Sequence, residues 1–251
     1  MIVNIQIKIL IDNNMPQPFL SEHGLSLVIT CGQEKILFDT GAGNALMKNL
    51  QLSDIAPGSF TKIILSHGHF DHTGGLGQIL PLVPDAELYF ASGITAKRFS
   101  RHPERPVKEL TMPEESRKAL ERHKKKFEIT GFTQIADGIF LTGPIPRTSG
   151  EDCGGPFFLD QDGRIPDLIP DEQALVFSSG ELIQGCCHAG IINTVNYCKQ
   201  CCPGLKIKTI TGGLHLLHAS PARLKQTTDF LRQLELQEIT ALHCTGAGLS
   251  L

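Results

Sequence analysis

The hexapeptide His67-Gly68-His69-Phe70-Asp71-His72 places four potential metal ligands within six residues. Chance yields this H-x-H-x-D-H spacing in roughly one of a thousand chains of this composition. The spacing has a chemical rationale. His67 and His69 lie two apart on an extended segment leaving a strand, so they point the same way and can bind one metal. Asp71 and His72 sit at the turn into the next helix and can address a second metal close by. Imidazole and carboxylate together suit zinc, iron or manganese, and two adjacent metals can share and activate one water. The alternative, satisfied surface histidines, would give four such side chains no packing purpose.

The elements that must position this cluster are legible around it. Ile5, Ile7 and Ile9 alternate with polar residues, as do Leu25, Leu27 and Ile29, which predicts strands. A short apolar run at 36–38 precedes Asp39-Thr40-Gly41, and a helix is expected over 44–50. Residues 62–65 read as a buried strand running directly into the His/Asp cluster, and 87–90 as another strand. Further strands are expected at 127–129, 139–141, 174–178, 181–184, 207–210 and 238–242. Helices are expected at 191–202, stopped by Pro203-Gly204, and at 221–234. Two strand-rich halves with interspersed helices predict an α/β protein, a sandwich of two sheets flanked by helices, as one domain over 1–251.

Composition excludes several classes. At 251 residues, 41% hydrophobic and 20% charged, the chain has an ordinary globular composition, and its net charge of −3 argues against a wholly basic nucleic-acid binder. No apolar run approaches the roughly 20 residues that span a bilayer. The N-terminus alternates like a strand and lacks the features of an export signal, so a cytoplasmic protein with reduced thiols is expected despite eight cysteines. Charge is unevenly placed. Residues 97–126 hold 11 of the 23 basic residues and five acidic ones, a local balance of +6. This basic helical insertion reads either as a solvated surface helix or as a lid that draws in a small anionic substrate.

Residues 66–76, SHGHFDHTGGL, resemble the signature of the metallo-β-lactamase superfamily. The resemblance implies an αββα sandwich of two mixed β-sheets flanked by helices, with metals at one edge. Phe38-Asp39-Thr40-Gly41 matches the strand-end aspartate that supports the metal loop, which implies that role for Asp39. Gly185-Cys186-Cys187-His188-Ala189-Gly190 matches the third motif and implies His188 as the ligand completing the first site with His67 and His69. Leu242-His243-Cys244-Thr245-Gly246 matches the last motif and implies that His243 joins Asp71 and His72 at the second. A finer pattern, which includes Asp12-Asn13, Glu22-His23-Gly24, Pro170-Asp171-Glu172 and Gly213-Leu214-His215, resembles the branch related to the dihydropterin-ribofuranosylaminobenzene-phosphate synthase of methanopterin biosynthesis. Zinc is the expected metal, as two ions or one, with iron or manganese as alternatives.

The chain departs from the family pattern in two places. Most family hydrolases carry an aspartate at the fourth motif that bridges both metals, but the matching segment here, Thr211-Gly212-Gly213-Leu214-His215, has no acid. His215 either takes part in catalysis and ligand binding or lines the pocket. The chain also stops at Leu251, short of the helix and strand with which the branch usually ends. Cys244 either approaches the metals or packs as a core thiol, and Cys198, Cys201 and Cys202 read as small packed residues. Asp71 and His215 are the expected catalytic residues. Glu22, His23, Arg98, Arg101 and Arg105 are the expected substrate contacts. The leading reading is a metal-dependent hydrolase of an ester, lactone or phosphoester. A transferase condensing a dihydropterin diphosphate with an aryl ribose phosphate is the alternative, and a non-catalytic metal- or ligand-binding protein is a third. A β-lactam substrate is disfavoured, no nucleic-acid or membrane partner is expected, and a homo-oligomer is compatible with the chain.

Overall fold

A computed structural model describes residues 5–153, 155–247 and 249. The first half builds one sheet. Strand β1 (Ile5–Ile11) pairs antiparallel with β2 (Ser26–Cys31), which turns back into β3 (Glu34–Phe38). From β3 onward the connections cross over. Helix α1 (Leu46–Leu52) leads to β4 (Lys62–Ile64). The short helices α2 (Phe70–Thr73) and α3 (Leu76–Ile79) lead to β5 (Glu87–Ala91). Each of these strands runs parallel to the one before it.

Residues 97–126 are only partly helical, which corrects the expected helical insertion. Two-residue strands β6 (Phe99–Ser100) and β7 (Lys108–Glu109) come first, and only α4 (Glu114–Arg122) is helix. Lys126 already belongs to β8 (Lys126–Ile129), which pairs parallel with β5 and closes a six-stranded sheet in the order β1-β2-β3-β4-β5-β8. The basic character of α4 is met locally. Arg117 bonds both Glu114 and Glu121, and Lys118 approaches Glu114 and Glu115. Ser116 and Leu120 form its buried face, so this part is the solvated helix and the lid reading does not apply to it.

The second sheet follows. Strands β9 (Thr133–Ala136) and β10 (Ile139–Leu141) form a hairpin, and β11 (Phe157–Phe158) joins β6 and β7 in a small three-stranded sheet. Then β12 (Ala174–Phe177) pairs antiparallel with β13 (Glu181–Gln184). Helices α5 (Ile191–Cys201) and α6 (Pro221–Gln233) carry the chain through β14 (Thr209–Gly212) and β15 (Glu238–Ala241), both parallel to β13. The order is β15-β14-β13-β12-β10-β9.

Three apolar layers hold this αββα sandwich together. Leu27, Ile29, Phe38 and Ile64 from the first sheet meet Ile139, Leu175, Phe177 and Ile183 from the second, all buried. On the outer face of the first sheet, Leu46, Leu50, Leu76 and Leu120 from α1, α3 and α4 cover Val28, Leu37, Ile63 and Leu88. On the outer face of the second, Ile191, Val195, Cys198 and Leu231 from α5 and α6 cover Val176, Leu182 and Ile210. Alternation along each strand sends one set of side chains to the inner layer and the other to the helices. The central strands therefore have both faces buried, which is why β4 and β12 read as near-continuous apolar runs, whereas the edge strand β1 alternates.

The crossovers place the carboxyl ends of five parallel strands on one edge. Asp39 follows β3, the His67–His72 loop follows β4, Cys186 and His188 follow β13, His215 follows β14, and His243 follows β15. Open parallel sheets bind ligands at that end of their strands.

Candidate metal centre

Asp39 organises the loop after β4. Its carboxylate accepts the Ser66 backbone N–H at 2.7 Å, the Ser66 hydroxyl at 2.6 Å and the His72 Nδ1 proton at 2.7 Å, all buried. The Ser66 hydroxyl also lies 2.9 Å from His67 Nδ1. One carboxylate thus fixes the rings of His72 and, through Ser66, His67. Gly68 makes the loop possible. Its N–H donates to Asp171 at 2.8 Å, and a Cβ there would lie 2.1 Å from the Ile94 carbonyl.

The first cluster consists of His67, His69 and His188, whose nitrogens lie within 4.8 Å of one another. His188 is held by its backbone: its N–H and that of Ala189 each donate to Glu172 at 2.5 Å. Both ring nitrogens of His188, and His69 Nε2, are buried with no hydrogen-bond partner among the described residues. Uncompensated polar atoms at this depth are costly unless a ligand satisfies them. Burial, reinforced for His67 and His188 by neighbouring imidazoles, pushes both rings well below their ordinary pKa, and burial takes His69 to about 3. Neutral imidazoles with free lone pairs are the state a divalent cation requires.

The second cluster consists of His23, Asp71 and His243. Asp71 Oδ2 lies 3.1 Å from His23 Nε2 and 3.4 Å from His243 Nε2. Burial alone would raise the Asp71 carboxyl, but the hydrogen bonds from these two imidazoles hold it well below the usual carboxylate range. His243 is oriented from the N-terminal strand: its N–H donates to Asp12 at 2.7 Å and its Nδ1 lies 2.9 Å from Asn13 Oδ1. His72 stands between the clusters. Burial opposes its charge, but Asp39 raises it to about 9, and its Nε2 lies 3.1 Å from Cys186 Sγ. The donor set and the buried, unpartnered nitrogens fit divalent metal ions.

The structure corrects several expected substrate contacts. Glu22 does not reach the cavity; its carboxylate accepts the backbone N–H groups of Ala42, Gly43, Asn44 and Ala45 and shapes the loop after Asp39. Its like charge to a phosphate and its saturated oxygens rule out anion binding. Arg98 is 1% exposed, and its guanidinium is consumed by Asp167 at 2.8 Å and Asp171 at 2.5–3.0 Å. It ties β6 to the metal loop, because Asp171 also holds Gly68. Arg98→Met leaves two buried carboxylates unpaired and is expected to cost about 3–5 kcal/mol. Thermal unfolding should show a drop of about 10 °C; a drop under 3 °C would disprove the structural role. Arg101 turns away and bonds the Asp162 carbonyl.

His23, Arg105 and His215 do line a cavity of about 610 Å³, together with His69, Asp71, His188 and His243. The small sheet frames it through Ser100, Lys108 and Phe157. Phe157 packs edge-on against His188, with ring centroids 5.2 Å apart. Phe70 and Leu217 add apolar wall, and Arg223 reaches in from α6. Arg223 is buried, its NH1 donates to the His215 carbonyl at 2.9 Å, and its Nε has no partner among the described residues. Phe157 and Arg223 were missed because nothing in their local sequence marks them, whereas Lys108 belongs to the basic stretch at 97–126. Cys186 and Cys244 also stand among the ligand clusters; for Cys244 this is the first of the two expected alternatives, and for Cys186, two residues before His188, the shared motif was the available signal.

With this fold and site, residues 22–165 match the metallo-beta-lactamase superfamily profile, and the chain belongs to that superfamily. Divalent metal binding is a property of that family. Among its relatives, an uncharacterised protein of Methanocaldococcus jannaschii, MJ0448, is 32% identical over 96% of this chain and 90% of its own length. The 7,8-dihydropterin-6-methyl-4-(beta-D-ribofuranosyl)-aminobenzene-5'-phosphate synthase of the same organism is 30% identical over 91% of this chain and 83% of its own. The crystal structure of Tm1679, a metal-dependent hydrolase of the β-lactamase superfamily, superposes with a TM-score of 0.80 at 27% identity. That superposition covers 97% of this chain and 90% of the other.

Proposed function

We propose that this protein is a metal-dependent hydrolase with a dinuclear zinc centre, acting on an ester, lactone or phosphoester that carries an anionic group. One observation carries the reading. His67, His69 and His188 converge from two strand ends, with His69 Nε2 and both His188 ring nitrogens unpartnered among the described residues, beside Asp71, His72 and His243, and both clusters face one cavity. Bound metal ions supply Lewis acidity that polarises the electrophile and lowers the pKa of water.

The chain's own residues do the rest. Asp71 accepts and orients the proton of the attacking water, with His23 and His243 holding its carboxylate. His215, whose ring lies 4.4 Å from that of His188, borders the first cluster and is placed to hand a proton to the leaving group. Arg105, Lys108 and the free Nε of Arg223 offer positive charge around the cavity for the anionic end of the substrate. Phe70 and Phe157 exclude bulk water and strengthen these interactions.

The test is turnover of phosphodiester, phosphomonoester and lactone panels by the zinc-loaded protein, abolished by chelation and restored by zinc. The synthase-like relative favours a second reading, transfer of a dihydropterin group from a diphosphate to an aryl ribose phosphate. Pterin-dependent release of diphosphate without hydrolysis of the panels would select it.

The anion-binding expectation moves away from Arg98 and Arg101 and rests on Arg105 with the other basic side chains that line the cavity. Arg105→Ala with Lys108→Ala should raise KM for an anionic substrate about tenfold or more, about 1.4 kcal/mol, with kcat and metal content retained. The wild-type KM should rise with salt, since exposed charges are screened beyond about 8–10 Å at physiological ionic strength. An unchanged KM and flat salt dependence would sink the assignment.

A further inference from the structure

The segment after β14 carries no acid where most family hydrolases place their bridging aspartate, and the structure shows why none fits. A Cβ on Gly212 would lie 1.9 Å from the Gln184 carbonyl oxygen. A Cβ on Gly213 would lie 2.5 Å from Cys244 Sγ, 2.6 Å from the Gly185 carbonyl oxygen and 3.2 Å from Cys186 Cα. At each glycine the shortest of these contacts lies below the closest approach of real Cβ atoms. The space is filled from the adjoining strand ends, by two cysteines.

Cys186 is central to the donor geometry. Its sulfur forms one compact group with His67 and His72, a second with His188 and His215, and a third with His243 and Cys244; within each, the ligand atoms lie within 4.8 Å of one another. Among the described residues no other side chain belongs to three such groups. Cys186 Sγ is therefore within reach of donors from both clusters, while Cys244 adjoins the His243 side. Cys187, the intervening residue, points the opposite way into the α5 layer, where its sulfur lies 4.0 Å from the Thr194 hydroxyl.

We propose that Cys186 supplies a thiolate that bridges the two metal positions in place of the missing carboxylate, with Cys244 as a terminal ligand on the His243 side. The inference rests on the metal centre argued under Proposed function. Asp71 is the one carboxylate in the donor groups among the described residues, so two divalent cations there would leave a large charge in a buried site, and two thiolates offset it. For each cysteine the S–H bond breaks, a sulfur–metal bond forms and the proton leaves to solvent. Thiolate donors also select for zinc over manganese, whose preferred ligands are oxygen atoms.

X-ray absorption of the wild-type, zinc-loaded protein tests the proposal without any variant. The expected result is a sulfur shell at about 2.3 Å beside a nitrogen/oxygen shell at about 2.0 Å. Cobalt-loaded protein should show an intense near-ultraviolet thiolate-to-cobalt absorption. Cys186→Ser should remove more than half of that absorption and weaken binding of the second equivalent of metal about 100-fold. Cys244→Ser should remove a smaller share, and Cys187→Ser should leave the spectrum unchanged. Metal bound through a nitrogen/oxygen shell alone overturns the cysteine assignment and leaves the metal centre standing. A sulfur shell untouched by Cys186→Ser overturns the bridge. Failure of the wild-type protein to retain any zinc or cobalt overturns both readings together.

Discussion

Replacing His67 and His69 together with alanine should reduce metal content from as many as two ions per chain to no more than one. The two rings form the first cluster with His188, and both are buried in close approach: His67 Nε2 lies 3.0 Å from His69 Nδ1. Truncating both leaves His188 as the sole imidazole of that cluster. The fold should survive, because Asp39 still ties Ser66 and His72 into the loop, and removing the buried His69 Nε2, which has no partner among the described residues, relieves a desolvation cost. Elemental analysis after dialysis, with circular dichroism to verify folding, reads both. Full metal content in the folded double variant would exclude these histidines as ligands.

Asp71→Asn should lower kcat by about a hundredfold to a thousandfold while changing KM less than threefold. The amide keeps the shape of the carboxylate but loses the charge that His23 and His243 stabilise, and it cannot accept a proton from water. Interactions realised chiefly in the transition state have effects of this size, about 2.7–4 kcal/mol. The matching control is Asp39→Asn, whose carboxylate lies behind the ligands and does not line the cavity; it should lower metal affinity before it lowers kcat at saturating zinc. Wild-type turnover by folded, zinc-loaded Asp71→Asn would remove Asp71 from the chemistry.

Local sequence carried much of the core of this site. The spacing of His67, His69, Asp71 and His72 reflects local geometry, an extended exit from β4 followed at once by α2, so residues near in sequence stay near in space. The αββα arrangement was likewise legible, because alternation and helix-period patterning are properties of short windows and the superfamily motifs sit at strand ends. The helices at 191–202 and 221–234 appear within one residue of those bounds, marked by Pro203 after the first and Ser220-Pro221 before the second.

What tertiary structure decided concerns long-range partners. Arg98 and Arg105 look alike in sequence. One is consumed by Asp167 and Asp171, some 70 residues away, and the other lines the cavity. Glu22 and His23 are neighbours, yet one caps a backbone loop and the other bonds Asp71. The charge of 97–126 counted as one feature until folding divided it between an exposed, ion-paired helix and a small sheet framing the cavity. Cys186 and Cys187 are adjacent and chemically identical. The positive φ of 62° at Cys187 turns the chain so that one sulfur faces the histidines and the other faces Thr194. Composition and spacing specify which groups a chain possesses; which of them meet, and which are neutralised on the way, depends on packing between segments that are distant in the sequence.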